Sequence, residues 1–310
     1  MSALICGSMA YDTIMVFHDK FKHHILPEKI HILNVSFLVP VMRREYGGCA
    51  GNIAYNLKLL GEEPLIMATV GHDFEPYAQW MAQNQLSGEY IQILDNSYTG
   101  QAYITTDEEA NQITAFHPGA MNSSHLNSVP TDRQISIGIV SPDGKEGMQL
   151  HAEQFAELDI PFIFDPGQGM PMFDGEELLK FIDQATWVTL NDYESELMQE
   201  RTGLSLEQMA ERVEALIITL GGQGSQIYTH GECITIPAAK PKAILDPTGC
   251  GDAYRAGLLY GLMNDLGWEV TGRVASLMGA IKIENNGTQN HSFDMDSFRQ
   301  RYRENFGSSF

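Results

Sequence analysis

The most informative stretch of the sequence spans residues 246–257 and reads Asp246-Pro247-Thr248-Gly249-Cys250-Gly251-Asp252-Ala253-Tyr254-Arg255-Ala256-Gly257. Its proline and glycines predict a tight, exposed turn, and the apolar residues after Asp252 predict a buried helix. Residues 249–251 would then lie at the helix N-terminus, where unpaired backbone N–H groups and the positive end of the helix dipole bind anions. Asp252 would lie in the first turn, beside the anion.

A carboxylate next to an anion-binding site is electrostatically unfavourable unless it has a role. Accepting a proton from an attacking hydroxyl group is such a role, and phosphoryl transfer requires one. The alternative is that Asp252 only stabilises the start of the helix, because Asp is common in the first helical turn.

Two common nucleotide-binding fingerprints are absent from the sequence. There is no GxxxxGK[ST] phosphate loop. The glycine-rich run at residues 220–225 is not GxGxxG and leads into a predicted strand. The sequence therefore argues against a P-loop enzyme and against a dinucleotide-dependent dehydrogenase.

The composition of the chain further limits its possible fold, partners and structural sites. The chain has 310 residues, 43% of them hydrophobic, which is enough for one large α/β domain or a large domain with a small one. Its net charge of -21 makes nucleic acid and anionic membranes poor partners, so an anionic substrate would need a local positive site. The four cysteines form no CxxC pair and predict neither a disulfide framework nor a zinc site.

The N-terminal residues lack the basic flank and long apolar core of a signal peptide, and no run of about 18 apolar residues occurs. We therefore expect a cytoplasmic protein without a membrane partner. The sequence leaves a monomer and a homodimer open.

Short apolar runs alternate with amphipathic stretches along most of the chain, which predicts a parallel sheet covered by helices on both faces. The predicted strands are 3–7, 65–70, 135–141, 162–165, 187–191 and 216–221. The predicted helices between them are 50–60, 74–85, 147–158, 175–184 and 194–201. The last third predicts a hairpin at 225–229 and 233–237, followed by helices at 251–266, 271–284 and 295–306.

Two insertions interrupt this pattern. Residues 13–46 separate the first strand from the first helix and contain alternating apolar positions from Ile30 to Val41, typical of β-structure. Residues 98–117 contain two β-like pieces, 101–105 and 112–116, around a turn at 107–110. Long connections that carry their own strands often form a functional lid.

Residues 246–252 resemble the C-terminal signature of the ribokinase-like (PfkB) carbohydrate kinases, DTxGxGD, with Pro247 at the second position. The family's N-terminal GGxxxN element resembles the run Tyr46-Gly47-Gly48-Cys49-Ala50-Gly51-Asn52-Ile53-Ala54. The resemblance extends over the whole chain. It implies a single three-layer α/β/α domain over residues 1–310, with a mainly parallel central sheet and a small β-sheet lid formed by 13–46 and 98–117.

The resemblance also implies roles for individual residues. Asp252 is similar to the base that deprotonates the substrate hydroxyl, and the amides of Gly249, Cys250 and Gly251 are similar to the anion hole for the transferred phosphoryl group. Asp12 corresponds to the acid that binds sugar hydroxyls. The same sugar pocket is expected to be lined by Gly47, Gly48 and Asn52.

On the ATP side, Asn191 and Glu194 resemble the family's NxxE motif, which positions Mg²⁺ and phosphates largely through water. Further ATP contacts are implied for Thr219, Gly221, Gly224 and Asn290. Taken alone, the adjacent His291 would be an ordinary surface histidine. A monovalent cation such as K⁺ is implied near the anion-hole loop, with ligands not identified. Arg255 could bind phosphate or form a surface ion pair.

The substrate class depends on the insertions, which are aromatic and apolar and so suit a stacked base better than a free sugar. Residues 24–37 and 115–121 resemble bacterial adenosine kinase-type nucleoside kinases, which makes Phe116 and Phe37 candidates for stacking on a purine. We therefore expect an ATP-dependent kinase for the 5′-hydroxyl of adenosine. The alternatives are a ribose or fructose kinase and a non-catalytic nucleotide- or sugar-binding protein.

Overall fold

The computed structural model describes residues 2–25, 31–32, 34–109 and 111–310, so parts of both predicted insertions, including Ile30 and Ala110, lie outside the described residues. Within this part of the chain there are thirteen strands: β1 (Ala3–Cys6), β2 (Ala10–Val16), β3 (Val41–Gly47), β4 (Pro64–Gly71), β5 (Ser87–Leu94), β6 (Gly100–Thr106), β7 (Gln112–His117), β8 (Ile137–Val140), β9 (Phe162–Phe164), β10 (Trp187–Asn191), β11 (Ala215–Thr219), β12 (Ser225–Thr229) and β13 (Glu232–Ile236).

Helices connect most of these strands. They are α1 (Cys49–Leu59), α2 (Glu75–Gln83), α3 (Lys145–Glu157), α4 (Gly175–Gln184), α5 (Asp192–Thr202), α6 (Leu206–Ala210), α7 (Cys250–Met263), α8 (Trp268–Ile283) and α9 (Met295–Phe306). Short 3₁₀ segments occur at Gly119–Leu126 and Gly167–Met172.

The large sheet has the strand order β13-β12-β11-β10-β9-β8-β1-β4-β5. Strands β1, β4, β5 and β8 to β11 are parallel, whereas β12 runs antiparallel to both of its neighbours. The predicted mainly parallel sheet with a hairpin at one end is confirmed.

Strand β1 shows why helices cover both faces of this sheet. Its four residues are all buried, and successive side chains point to opposite faces. Ala3 and Ile5 pack in a cluster with residues of α1, α2 and α7. Leu4 and Cys6 pack in a second cluster with residues of α3, α4 and α5. The three-layer α/β/α architecture is therefore confirmed.

Strand β5 and helix α6 were not predicted. Strand β5 is at the edge of the sheet and none of its residues is buried, so it lacks the continuous apolar run that marks the inner strands. Helix α6 has only five residues, too few for an amphipathic period to show.

The small sheet has the order β3-β2-β6-β7, with β2 antiparallel to β3, parallel to β6, and β6 antiparallel to β7. The prediction of β-structure at 101–105 and 112–116 is confirmed. The prediction for the first insertion is wrong in position, because residues 34–40 form no regular structure. Its strands lie instead at the two ends of the insertion, as β2 and β3, where main-chain pairing rather than apolar alternation holds them.

Strand β1 lies between β4 and β8, and the chain runs from β1 to β4 on one side before it crosses to β8 on the other. In open parallel sheets, ligands bind outside the carboxyl ends of the strands at such a switch point. Ligand-binding residues are therefore expected among those that follow β1 and β8 to β11.

None of the helices in the described ranges combines the length and the apolar character needed to cross a lipid bilayer.

Candidate active site

A cavity of about 920 Å³ opens at this edge of the large sheet. Its floor is formed by residues that follow β1 and β8 to β11, together with the N-terminus of α7. The small sheet contributes one wall through Ala10, Asp12, Ala102, Ile104, Thr114 and Phe116. Its volume is at the upper end of the range for ligand pockets. The insertion 98–117 contributes part of the wall, whereas none of the described residues of 13–46 is in the lining.

Helix α7 begins in the cavity, as the sequence of residues 246–257 predicts. Its N-cap residue, Gly249, has φ of 78° and lies against Thr288, so any side chain there would be strained and crowded. Gly249, Gly251 and Asp252 line the cavity. The Cys250 N–H donates to the Pro247 carbonyl at 3.2 Å, so one of the three amides assigned to the anion hole already has a partner in the turn.

Asp252 lies half-buried in the first turn of α7, and Nδ2 of Asn52 donates to its Oδ2 at 2.8 Å. Burial raises the pKa of Asp252 to about 6; the Asn52 hydrogen bond lowers it, and the neighbouring Asp165 raises it further. The carboxylate is therefore more basic than an ordinary Asp and still ionised at neutral pH, which suits a general base.

Asp12 projects from β2 into the cavity, and its carboxylate lies against Gly47 of β3, where a side chain would collide with it. Burial raises the pKa of Asp12 to about 6, assisted by the negative charges of Glu45 and Asp246. Gly48 lines the cavity at the start of α1 with φ of 87°, and a side chain there would strike the main chain of residues 8–10.

Asn52 belongs to a buried polar network that connects α1 with the segment after α8. Its Oδ1 accepts a hydrogen bond from Nε2 of Gln289 at 3.0 Å, and the same nitrogen donates to Tyr77 Oη at 2.6 Å. His291 is 1% exposed, with Nε2 2.7 Å from Oδ1 of Asn56. The expectation of a surface histidine is therefore wrong, and burial lowers the pKa of His291 to about 4.

The NxxE pair lies where β10 meets α5. Oδ1 of Asn191 accepts from the Glu194 N–H at 2.7 Å, and Oε2 of Glu194 accepts from the Asn191 N–H at 2.8 Å. This is a complete capping box. Both residues also line the cavity, and burial with the nearby charge of Asp165 raises the pKa of Glu194.

The residues predicted to contact ATP are not all together. Thr219 and Gly221 line the cavity at the end of β11. Gly224 is buried beside the main chain of Ile236, outside the lining. Asn290 is exposed, and its Nδ2 donates to Oε2 of Glu45 at 2.8 Å, so it contacts strand β3 rather than the cavity.

The two candidate stacking residues lie in different environments. Phe116 is 49% exposed on β7 and lines the cavity. Phe37 lies outside the lining, in an aromatic cluster with Phe17 and Phe21, whose ring centroids are 4.8 and 5.0 Å from its own. In this conformation only Phe116 presents a ring surface to a ligand.

Three charged residues of the cavity, Arg255, Asp165 and Asp143, have no role assigned from the sequence. Nε and Nη2 of Arg255 donate to Oδ2 and Oδ1 of Asp165, both at 3.0 Å. The residues are 5% and 3% exposed, so Arg255 forms a buried bidentate pair and not a surface one. A further carboxylate, Asp143, is 2% exposed, and burial raises its pKa to about 8. The sequence offers one signal for these two acids, which is their position: Asp165 and Asp143 both follow strands of the parallel sheet.

The described lining of the cavity is strongly acidic. It includes one basic side chain, Arg255, and six carboxylic acids: Asp12, Asp143, Asp165, Asp192, Glu194 and Asp252. A polyphosphate entering it would meet net negative charge unless a cation accompanied it. Among the residues that the structure describes, no group of three or more His, Cys, Asp or Glu side chains is arranged to hold a metal by itself. Oxygen donors at the ends of β9 and β10 fit Mg²⁺ that arrives with phosphates and water as its other ligands.

Comparisons with known proteins agree with this arrangement. The model of the "pfkB family carbohydrate kinase" matches residues 10–294. A nucleoside kinase of Methanocaldococcus jannaschii is 30% identical over 92% of this chain and 95% of its own. The structure of Burkholderia thailandensis nucleoside kinase in complex with inosine is 49% identical, with a TM-score of 0.91 over 99% of both chains. The same enzyme in complex with ADP-inosine is 50% identical, with a TM-score of 0.88 over 99% of this chain and 97% of that one.

The chain therefore belongs to the pfkB family of carbohydrate kinases and has the ribokinase-like fold. It is an ATP-dependent kinase. The resemblance noted in the two sequence signatures is confirmed.

Proposed function

We propose that this pfkB-family kinase transfers the γ-phosphoryl group of ATP to the 5′-hydroxyl of a purine nucleoside, with adenosine as the expected substrate. The observation that carries the proposal is the position of Asp252. Its carboxylate lies in the first turn of α7, is held by Asn52, and opens into a cavity that extends from Asp12 to Thr219.

Asp252 is assigned the role of general base. It accepts the proton of the 5′-hydroxyl as that oxygen attacks the γ-phosphorus. The amides at the start of α7 face the charge that develops on the transferred group, and a helix N-terminus stabilises such charge without reorganising. The Asn52 hydrogen bond fixes the carboxylate oxygen that is not needed for the proton, so the base is oriented before the substrate arrives.

Asp12 is assigned to the ribose. A carboxylate accepts two hydrogen bonds at once and so suits vicinal hydroxyls, and the glycines at 47 and 48 let a sugar approach the main chain closely. Asp12 lies on β2 of the small sheet and Asp252 lies in the first turn of α7, and both line the same cavity. A ribose bound at Asp12 would place its hydroxymethyl group toward Asp252.

The nucleotide is assigned to the opposite end of the cavity, near Asn191, Glu194, Thr219 and Gly221. Bound Mg²⁺ supplies positive charge to the phosphates in this acidic environment. Glu194 is the residue assigned to hold it, through water. Arg255 is fixed by Asp165 and adds the basic side chain of the described lining.

A nucleoside is favoured over a free sugar by two observations. The Burkholderia relative, 49% identical over 99% of this chain, has been captured with inosine and with ADP-inosine. In this chain the wall of the small sheet presents the flat ring of Phe116 and the aliphatic side chain of Ile104 to the cavity, and such apolar surfaces suit a base. Because inosine is a purine nucleoside, it is the second substrate to be tested after adenosine.

The small sheet is proposed to act as a lid that closes over the nucleoside and excludes water from the γ-phosphate. We treat the large sheet with this lid as one folding unit over residues 1–310. The Phe37 cluster would then stabilise the lid rather than contact the base.

The experiment is a substrate panel with MgATP: adenosine, inosine, guanosine, cytidine, ribose and fructose, with release of ADP as the measurement. We expect the highest kcat/KM with a purine nucleoside. Preference for ribose or fructose would favour the sugar-kinase alternative. No turnover of any substrate, together with binding of nucleoside, would favour a non-catalytic binding protein.

A further inference from the structure

Lys282 is a fully buried lysine in the last turn of α8, with 0% exposure. Its Nζ donates to the main-chain oxygen of Asp246 at 2.7 Å and to that of Asn285 at 3.1 Å. A buried ammonium group is costly unless it is hydrogen-bonded, so these carbonyl oxygens are what stabilise it there. Burial lowers the pKa of Lys282, and the negative charge of Asp246 acts in the opposite direction.

The two carbonyl groups belong to the segments that frame the proposed anion hole. Asp246 begins the turn 246–249 that leads into α7. Asn285 begins the segment after α8 that includes Thr288, the neighbour of Gly249. The Asp246 carboxylate ties the same segments together, because it accepts from the N–H groups of Thr248 and Gly287, both at 2.9 Å. Asp246 therefore holds the turn through its own carboxylate, and Lys282 holds it through the Asp246 carbonyl oxygen.

The family resemblance implies a monovalent cation near this turn, and the structure allows that expectation to be tested. Main-chain carbonyl oxygens are the ligands that replace the water shell of a monovalent cation. At this turn the oxygens of Asp246 and Asn285 are already bound by a cationic nitrogen of this chain. A K⁺ ion would have to compete for the same oxygens and would lie against an ammonium group. The residues at this turn therefore do not fit a K⁺ ion.

We propose that Lys282 is a built-in cation that positions the anion-hole turn, so that the kinase needs no added monovalent cation. The residue is a positioning residue and not a catalytic one, because it acts on the reacting phosphate through the turn 246–249. The proposal rests on the proposed role of that turn in phosphoryl transfer. It also predicts that the charge of Lys282, and not only its packing, is required.

The first test uses the wild-type protein. Turnover of a purine nucleoside with MgATP is measured in choline, sodium and potassium chloride at one ionic strength. We expect the same kcat in all three. Activation by potassium of about tenfold or more over choline, equivalent to about 1.4 kcal/mol of barrier, would overturn the proposal.

The second test removes the ammonium group. Lys282→Ala should lower kcat by about 10²–10³-fold, the range found when a group that stabilises developing charge is lost. Ammonium, methylammonium or potassium ions should restore part of kcat by binding the freed carbonyl oxygens. Lys242→Ala, which removes an exposed lysine from the segment before the same turn, is the matched control and should behave as wild type. An unaffected kcat in Lys282→Ala, or a loss that no cation restores, would overturn the proposal.

A third measurement does not depend on activity. The thermal unfolding midpoint of the ligand-free Lys282→Ala protein should rise in potassium relative to choline, while that of the wild type should not. If Lys282→Ala does not fold, Lys282→Met, which keeps much of the side-chain volume but removes both the charge and the N–H donors, takes its place. Failure of the substrate panel would count against the proposed function, whereas equal potassium stabilisation of wild type and variant would count against the role of Lys282.

Discussion

Asn52 and Asp252 are 200 residues apart in the chain, yet Nδ2 of Asn52 donates to Oδ2 of Asp252 at 2.8 Å. The bond joins the first turns of α1 and α7, the helices that carry the two sequence signatures. It fixes the orientation of the carboxylate and opposes the increase in its pKa that burial causes. The proposed base is therefore tuned by a residue of the other signature.

Replacing Asp252 by Asn should lower kcat by about 10²–10⁴-fold, because the amide keeps the size of the side chain but cannot accept the proton. The protein should still fold and still bind nucleoside. Steady-state kinetics, with calorimetric titration of adenosine as the control for binding, would measure this. A variant that turns over at a near-normal rate would remove Asp252 from the role of base.

The activity should fall as the pH falls through about 6. Asp252 works as a base only when it is deprotonated, and its pKa is raised to about 6, so protonation removes the active form. Asn52→Leu removes the hydrogen bond that lowers this pKa, and the acid limb of kcat/KM should then move to higher pH.

Asp12, whose pKa is also raised to about 6, must be separated from this effect. Asp12→Asn should raise KM for the nucleoside while its acid limb stays at the wild-type position. An acid limb that disappears in Asp12→Asn, or that does not move in Asn52→Leu, would show that another group controls the profile.

The pair Arg255–Asp165 should be more important for stability than any exposed pair. Replacing Arg255 by Met leaves a buried carboxylate without its partner and should cost about 3–5 kcal/mol in the free energy of unfolding. Adding Asp165→Leu should recover much of that loss, because the charge no longer needs a partner. Urea denaturation of the two single variants and the double variant gives the coupling energy.

The matched control for this cycle is the exposed pair of Arg212 and Asp183, at 2.8 Å. Its coupling should be about 1 kcal/mol or less, because water screens both charges. Equal coupling energies for the buried and the exposed pair would contradict the importance assigned to Arg255 and Asp165.

Phe116→Ala should lower kcat/KM for adenosine by about tenfold or more, since a stacked base contributes about 1–3 kcal/mol. Any residual activity with ribose should not change. Ile113→Ala is the control, because Ile113 lies on the same strand but outside the cavity lining. Equal losses with adenosine and ribose would mean that Phe116 supports the small sheet rather than the base.

Much of the large sheet could be predicted from the sequence, because buried parallel strands need continuous apolar runs and the helices between them need one apolar face. Strand β5 could not, since an edge strand carries no such run. The strands of the first insertion were misplaced because β2 and β3 are held by main-chain pairing with each other and with β6. Main-chain pairing of that kind does not require an alternation of apolar and polar side chains, so the sequence pattern does not reveal it.

The candidate site divides in a similar way. Gly249, Asp252, Asn191 and Glu194 could be predicted locally, because each pair belongs to a helix start within four consecutive residues, the glycine turn before Asp252 and the capping box from Asn191 to Glu194. The bidentate pair of Arg255 with Asp165 and the burial of His291 are contacts between distant segments. The residues next to each of them in the sequence do not indicate which distant residue will be the partner.

The sequence by itself determined the alternation of strands and helices, the helix N-terminus at Gly249 and the two signatures of the family, because each depends on residues close together in the chain. Only the tertiary structure decided that Asn52 meets Asp252, that Phe116 and not Phe37 lines the cavity, and that Lys282 binds the Asp246 carbonyl oxygen. The reason is physical: side-chain periodicity specifies which face is buried, whereas the partner met there depends on how the sheet and helices pack.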